Sequence, residues 1–368
     1  MKVLLLGFAK IKYLPYMHFY LNCIDNKNSE IHLVYWERDL ESDDRAPDYL
    51  IIHCYKCIMS DLIPLYKKVI PIINYGKFAK KVINSVKPDI LIVLHSTTAI
   101  SIYNLLTGLY KGKYIFDFRD LTYEKYPVYR KMISKIIKNS ILSFTSSDGF
   151  RKMLPTDEKK LLTSHNLLRS SLEKHEQYYI RNKRNLDQPI RIAFWGMIRH
   201  VSINEEIIKK LGNDERFELH FYGRAGDEMN ALLTRAEKEY HNVKYHGEYL
   251  PAERDAFSLN TDLIHNIYGN NDKTTYAAMG NKYYDGLVYY LPQLCMKDSF
   301  MGVQVTENRI GLACDPYSDG FSDSIFQYYR SLDFEVFKKN CDSTLDKVVR
   351  QIEKDEVILK RVLSDYQN

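Results

Sequence analysis

The 368-residue chain lacks most of the features that would place it at once. None of its 16 glycines falls into a Gly-x-Gly-x-x-Gly loop, which argues against an NAD-type dinucleotide site. Lys, His, Asp or Pro breaks every apolar run well before the roughly 18 residues of a membrane-spanning helix. The start does not read as a signal peptide. Val3–Ala9 is short, Lys10 and Lys12 follow at once, and no small-residue cleavage site comes after them. A cytoplasmic protein is expected, either free or at the inner face of the cell membrane. Six cysteines stand mostly in apolar contexts and read as reduced core thiols. Cys54 and Cys57 form a lone CxxC without the second pair that a four-ligand zinc site needs, so no metal site is expected.

Charge is ordinary in total and uneven along the chain. Through Arg169 there are 26 Lys+Arg against 16 Asp+Glu, or +10, and the remainder carries 26 against 31, or −5. A basic first half suits an anionic partner, either an anionic membrane surface or a lipid-pyrophosphate acceptor; a solvated basic face is the plain alternative. No nucleic-acid partner is expected.

The pattern of apolar runs is that of parallel α/β sheets. Lys2–Ala9 and Glu30–Trp36 read as strands around a helix over Tyr13–Ile24, and Tyr66–Val86 reads as a basic helix. Ile90–Leu94 is a continuous apolar run and so a central parallel strand, with His95-Ser96 at its carboxyl end, where ligands collect in open sheets. His95 is a candidate there; the alternative is a histidine satisfied by a neighbouring carbonyl. Lys113–Phe118 leads into Asp117-Phe-Arg-Asp120 and Glu124. These acids suit either a structural pair with Arg119 or base work by Asp117, Asp120 or Glu124. Tyr126–Leu142 is a basic amphipathic helix, placed to cover the sheet or to lie on a membrane interface.

The polar stretch 170–189 reads as a linker, after which the pattern restarts. Ile190–Trp195 is a strand followed by Gly196-Met197-Ile198-Arg199, and Phe217–Tyr222 is a strand followed by Gly223-Arg224-Ala225-Gly226. Further on, Asn281 is placed to cap a helix to about Tyr290, with Asp285 one turn in. An open helix start beside a glycine also suits a phosphate, and Asp285 could then reach a sugar hydroxyl. A simple cap and a solvated carboxylate are the alternative. Gln293–Met296 reads as a strand, then a polar loop, then the strand Ile310–Cys314 closed by Asp315-Pro316. Tyr268, Asn270 and Asn271 lie on the loop that leads to Gly280.

Gly196–Arg199, Gly223–Gly226, Asn242–Gly247, Asn281–Asp285 and Gly311–Pro316, in that order, resemble the GT-B glycosyltransferases. The nearest likeness is to the retaining, family-four-like enzymes of bacterial capsule, exopolysaccharide and lipopolysaccharide synthesis. Asp117–Asp120 and His165-Asn166 echo the family's first domain. Ala277 stands where the family often has a glutamate. The resemblance implies an α/β GT-B architecture, two Rossmann-like parallel-sheet domains facing a central cleft. Residues 1–170 would form the acceptor-side domain, 171–189 a linker, 190–335 the nucleotide-sugar-binding domain, and 336–368 a helix crossing back. It implies a nucleotide-diphosphate sugar as donor substrate and no other cofactor, held by Gly196, Arg199, Gly223, Arg224, Asn281, Lys282 and Asp285. With no Asp-x-Asp in the chain, the resemblance implies transfer without a metal. The acceptor, a glycan or lipid-linked glycan, would meet His95, Asp117 and Asp120. A sugar-nucleotide 2-epimerase and a non-catalytic subunit of the same architecture are the alternatives.

Overall fold

A computed structural model describes residues 1–39, 41, 43, 45–59, 63–154, 159–167, 169–173, 175–181, 187–250, 253–269 and 272–366. The chain divides into two compact units, Met1–His165 with Arg350–Asn368, and Asn166–Val349.

The first unit is built on strands β1 (Lys2–Leu6), β2 (Glu30–Glu37), β3 (Leu50–Lys56), β4 (Ile90–Leu94), β5 (Tyr114–Phe118), β6 (Leu142–Thr145) and β7 (Leu161–Thr163). They form one sheet in the order β3-β2-β1-β4-β5-β6-β7, every pair parallel. The central strands are buried along their whole length, as sheets covered on both faces require: Ile90–Leu94, Tyr114–Phe118 and Leu142–Thr145 are buried at every residue, while Lys2 and Glu30 at the starts of β1 and β2 are exposed. The second unit repeats the plan with β8 (Ile190–Trp195), β9 (Phe217–Tyr222), β10 (Val243–Gly247), β11 (Leu263–Asn266), β12 (Gln293–Met296) and β13 (Gly311–Cys314), ordered β10-β9-β8-β11-β12-β13. In both sheets the strand order reverses direction once. The reversals lie between β1 and β4 and between β8 and β11, and crevices at such points take ligands in doubly wound sheets.

Several elements differ from the sequence expectation. The helix expected over Tyr13–Ile24 is a 3₁₀ turn, Ile11–Tyr13, and a separate helix, Met17–Leu21. Pro15 stands between them, and a proline has no N–H to carry one helix through. The loop expected after β12 contains a helix, Phe300–Glu307, whose start is capped by Ser299 Oγ accepting from the Gly302 amide at 3.0 Å. The stretch expected as a linker falls in the second unit and holds the helix His175–Arg181; Lys174 and 182–186 lie outside the described residues. The last helix runs Phe334–Ser364, and the change of unit falls inside it, between Val349 and Arg350. Its later part completes the first unit's core, where Leu359 and Leu363 join Val3, Leu5, Ile90, Ile92 and Phe144.

Candidate functional site

The second unit gathers most of the expected residues at the carboxyl edge of its sheet, around the reversal between β8 and β11. Two glycine loops lie side by side there. Gly196 follows β8 at φ +108°, and Gly223 follows β9 at φ +139°, both in backbone regions that side chains rarely enter. A methyl on Gly223 would sit 1.8 Å from the Gly196 carbonyl oxygen. The loops are joined by Ile198 N donating to Arg224 O at 2.8 Å. Gly223 is thus buried against Gly196, while the space that a side chain on Gly196 would take is open, so a ligand can approach the backbone closely there.

Arg199 stands at the end of the first loop, exposed, and its guanidinium makes no hydrogen bond or ion pair among the described residues. A buried relay fixes the loop beneath it. His265 Nδ1 accepts from the Ile267 amide at 3.2 Å, so its Nε2 carries the proton and donates to Asn204 Oδ1 at 2.9 Å. Asn204 Nδ2 then donates to the carbonyls of Arg199 and His200, at 2.6 and 3.1 Å. Burial pushes His265 down to about 3, so it stays neutral in this role. Arg224 is half-exposed, with Glu248 Oε1 at 3.9 Å from its Nε.

The helix Asn281–Val288 starts beside these loops. The expectation for Asn281 is corrected: Gly280 is the capping position, and Asn281 is the exposed first helical residue. Among the described residues, no side chain caps this end. Gly280 has no room for one, because a methyl there would lie 2.8 Å from the Tyr268 hydroxyl. The Tyr283 amide turns back to the Gly280 carbonyl at 3.0 Å, and among the described residues the Asn281 and Lys282 amides are left to an outside acceptor.

Lys282 and Asp285 both turn inward. Lys282 is buried, with Nζ donating to the Trp195 carbonyl at 3.1 Å and lying 3.8 Å from the centre of the Phe194 ring and 4.7 Å from that of Tyr268. Burial pushes its ammonium down to about 7, against the opposing pull of Asp285. Lys282 therefore supports the Gly196 loop from below. Asp285 Oδ2 accepts from Trp195 Nε1 at 2.8 Å, and Oδ1 lies 3.5 Å from Arg254 Nη1. Burial pushes this carboxyl above the usual range, with Arg254 opposing. Trp195 and Arg254, which sequence reasoning missed, are therefore what hold Asp285. Beside them Tyr222 stacks between His246 and Phe257, with ring centres 4.1 and 4.3 Å away. Asn270 and Asn271 lie outside the described residues.

No protein-family model matches this chain, and no curated protein does. Solved structures do. Sucrose-phosphate synthase from Thermosynechococcus elongatus superposes with a TM-score of 0.72 at 9% identity, covering 99% of this chain and 98% of that one. Anabaena HepE in complex with UDP gives 0.64 at 11%, covering 99% of each chain. WaaG, a glycosyltransferase involved in lipopolysaccharide biosynthesis, gives 0.64 at 12%, covering 98% and 99%. The fold is GT-B. A putative UDP-N-acetylglucosamine 2-epimerase from Listeria monocytogenes shares the architecture less closely, at a TM-score of 0.56 and 11% identity over 93% and 91% of the two chains.

The first unit of this GT-B fold carries the other expected residues at the carboxyl edge of its own sheet. His95 follows β4 with φ 88° and ψ 143°, a conformation left almost entirely to glycine, and it is held there from several sides. Its amide donates to Asp117 O at 2.8 Å, its Nδ1 accepts from the Thr97 amide at 3.1 Å, and its ring stacks on Phe8 at 5.6 Å. Asp117 is fully buried and pairs with Arg119, whose Nη2 lies 2.7 Å from Oδ2 and which also donates to Ser164 O and Oγ. Burial pushes the Asp117 carboxyl up, and Arg119 opposes it. Of the two roles open to Asp117, this geometry supplies the ion pair. Asp120 is exposed at the same edge. Glu124 accepts from the Thr122 amide, and burial pushes its carboxyl up. Ala277 is fully buried. Among the described residues, no three His, Cys, Asp or Glu side chains converge as a metal-ligand set, and no helix is long and apolar enough to cross a membrane.

Proposed function

We propose that this protein moves a sugar from a nucleotide-diphosphate donor to a glycan or lipid-pyrophosphate-linked acceptor in cell-surface polysaccharide synthesis. The observation that carries the reading is the open backbone at Gly196, set beside a helix start at Gly280 that no side chain among the described residues caps and the exposed guanidinium of Arg199. Such a place suits a diphosphate: backbone amides and an Arg fork meet several phosphate oxygens at once. The likeness to a solved UDP complex supports the same reading. Arg199 and the helix end take up charge as the diphosphate leaves, so transfer needs no metal. Arg224, Asn281, Lys282 and Asp285 shape the donor site, Lys282 and Asp285 from underneath. The first unit receives the acceptor. If the configuration at the sugar inverts, His95 or Asp120 takes the hydroxyl proton; if it is retained, no such base is required. A sugar-nucleotide 2-epimerase would act with no acceptor at all, and a non-catalytic subunit would bind nucleotide without turnover.

The test is a thermal-shift panel of UDP, GDP, CDP and dTDP on the wild type and Arg199→Ala. The exposed Arg199 can be removed without disturbing a buried partner, whereas Asp285→Ala would strand Trp195 and Arg254. A nucleotide at one hundred times its Kd stabilises by about 2.7 kcal/mol. One nucleotide should shift the wild type and lose at least tenfold in affinity in the variant. If no nucleotide shifts the wild type, the proposal fails. Acceptor-dependent release of the nucleoside diphosphate separates transfer from epimerisation.

A further inference from the structure

Four apolar side chains stand on one exposed face of the helix Leu65–Val86, at the spacing of successive helical turns. They are Tyr66, Val69, Ile70 and Ile73, between 44% and 71% exposed. The helix follows β3, so its start lies toward the carboxyl edge of the first sheet, the edge that carries His95 and Asp120. Its second half is anchored. Tyr75, Ala79, Val82, Ile83 and Val86 are buried, and the Tyr75 hydroxyl donates to Gly7 O at 2.6 Å. Residues 66–74 include no buried side chain, so the first half stands clear of the core. Single exposed apolar residues are common on any protein, whereas four on one helix face mark a surface that something covers.

Charge decides what covers it. The helix carries five lysines, Lys67, Lys68, Lys77, Lys80 and Lys81, and no acidic residue. Lys77 and Lys81 continue the apolar face by one and two turns, and both are exposed. A protein partner suits this poorly, since lysine is depleted at protein interfaces. An anionic bilayer satisfies both halves of the face: headgroups meet the lysines, and the acyl boundary takes the apolar turns. The helix Pro127–Asn139, which the sequence offered for a membrane interface, buries Ile133, Ile136 and Ile137 of its apolar side.

We propose that the first half of this helix docks on an anionic membrane, with Tyr66, Val69, Ile70 and Ile73 entering the headgroup region and Lys77 and Lys81 meeting its phosphates. Docking in this way holds the carboxyl edge of the first sheet at the membrane surface, where a lipid-linked acceptor arrives. The docking itself stands apart from the transferase reading, because it needs neither nucleotide nor turnover.

The experiment is flotation of the full chain, without nucleotide, on two kinds of vesicle. One is phosphatidylcholine alone, and the other is phosphatidylcholine and phosphatidylglycerol in equal parts. The proteins are the wild type, Ile70→Gln/Ile73→Gln and Lys77→Gln/Lys81→Gln. All four positions are exposed, and circular dichroism melts check that each variant folds. The wild type should float with the mixed vesicles and not with the neutral ones. Each double variant should bind the mixed vesicles at least tenfold more weakly, since a lysine near an anionic surface contributes about fivefold. Tyr66→Trp reads the contact directly. Trp36 and Trp195 are buried, so the added indole supplies the signal that should shift to the blue on mixed vesicles and be quenched by brominated acyl chains. A wild type that stays off the mixed vesicles, variants that bind them as well as it does, or an unquenched indole would overturn the proposal. A wild-type dimer in sedimentation velocity that Ile70→Gln/Ile73→Gln loses would put a second copy on this face and overturn it too. A chain that floats as expected but takes no nucleotide would sink the transferase reading alone.

Discussion

The Trp195–Asp285 contact lends itself to a direct measurement. Trp195 Nε1 donates to a carboxylate oxygen at 2.8 Å in a largely buried site. A hydrogen bond to a charged group contributes about 1.5–3 kcal/mol, so the pair should couple by about 2 kcal/mol. Trp195→Phe alone would also leave a small void, since the indole is larger than a phenyl ring. A double-mutant cycle with Asp285→Ala removes that contribution, because the void is common to both arms of the comparison. Urea denaturation followed by circular dichroism supplies the four free energies. The pH dependence gives a second reading. Asp285 is held above its ordinary range, so the folded protein binds this proton more tightly than the unfolded chain does. Stability therefore falls as pH rises through the window above the ordinary carboxylate value. Without the indole donor the carboxyl rises further, and Trp195→Phe should lose more stability between pH 5 and pH 8 than the wild type does. The coupling should be larger at pH 8, where the carboxylate is charged. A coupling under about 0.5 kcal/mol, within the error expected for independent sites, or one equal at both pH values, would refute the assignment of Trp195 as the anchor of Asp285.

Gly223→Ala should destabilise by about 3 kcal/mol or more in the same denaturation assay, because its methyl meets the Gly196 carbonyl at 1.8 Å in a positive-φ residue. Lys282 should take up a proton when a diphosphate binds, since burial holds its ammonium down to about 7 and an anion favours the charged form. Nucleotide affinity should then fall from pH 7 to pH 9. Calorimetry in two buffers of different ionisation heat reads the proton directly, and Lys282→Met should lose the slope. His95→Gly relieves the strained backbone but gives up the Thr97 cap and the Phe8 stacking and frees the unfolded chain, so stability should fall by about 1 kcal/mol in the denaturation assay, while turnover is abolished if the imidazole is the base. A variant equally active and no less stable would deny His95 both roles.

Both sheets were legible in the residues because parallel strands buried on two faces read as unbroken apolar runs. Ile90–Leu94 is such a run and Ile190–Trp195 is broken only by Arg191, and each is followed by the polar or glycine residue that opens the ligand edge. The edge strand β3 was harder, since its outward Ile51 and Ile52 break the alternation that marks a half-buried strand. The helix Phe300–Glu307 was missed because its Gly302 and β-branched residues argue against a helix, while its fit depends on Gly302 lying against the Met296 carbonyl. At the site, residue types were readable and directions were not. Spacing placed Lys282 and Asp285 near a helix start, but only the packing of Phe194, Trp195 and Tyr268 turns them inward. Trp195 gave one faint signal: it ends a strand at the ligand edge and is one of two tryptophans in the chain.

The helix Phe334–Ser364 also dictates an order of assembly. Residues 166–349 are contiguous, so on the ribosome the second unit has all of its parts before the first does. The first unit begins to emerge earlier, yet its core waits for Leu359 and Leu363. Chain growth thus finishes the later-made half first and leaves an apolar face of the earlier half open until the end. A ribosome stalled before residue 350 should carry a protease-resistant second unit and a protease-sensitive first one. Recombination that exchanged residues 1–165 alone would hand the new chain a core built for a different closing helix.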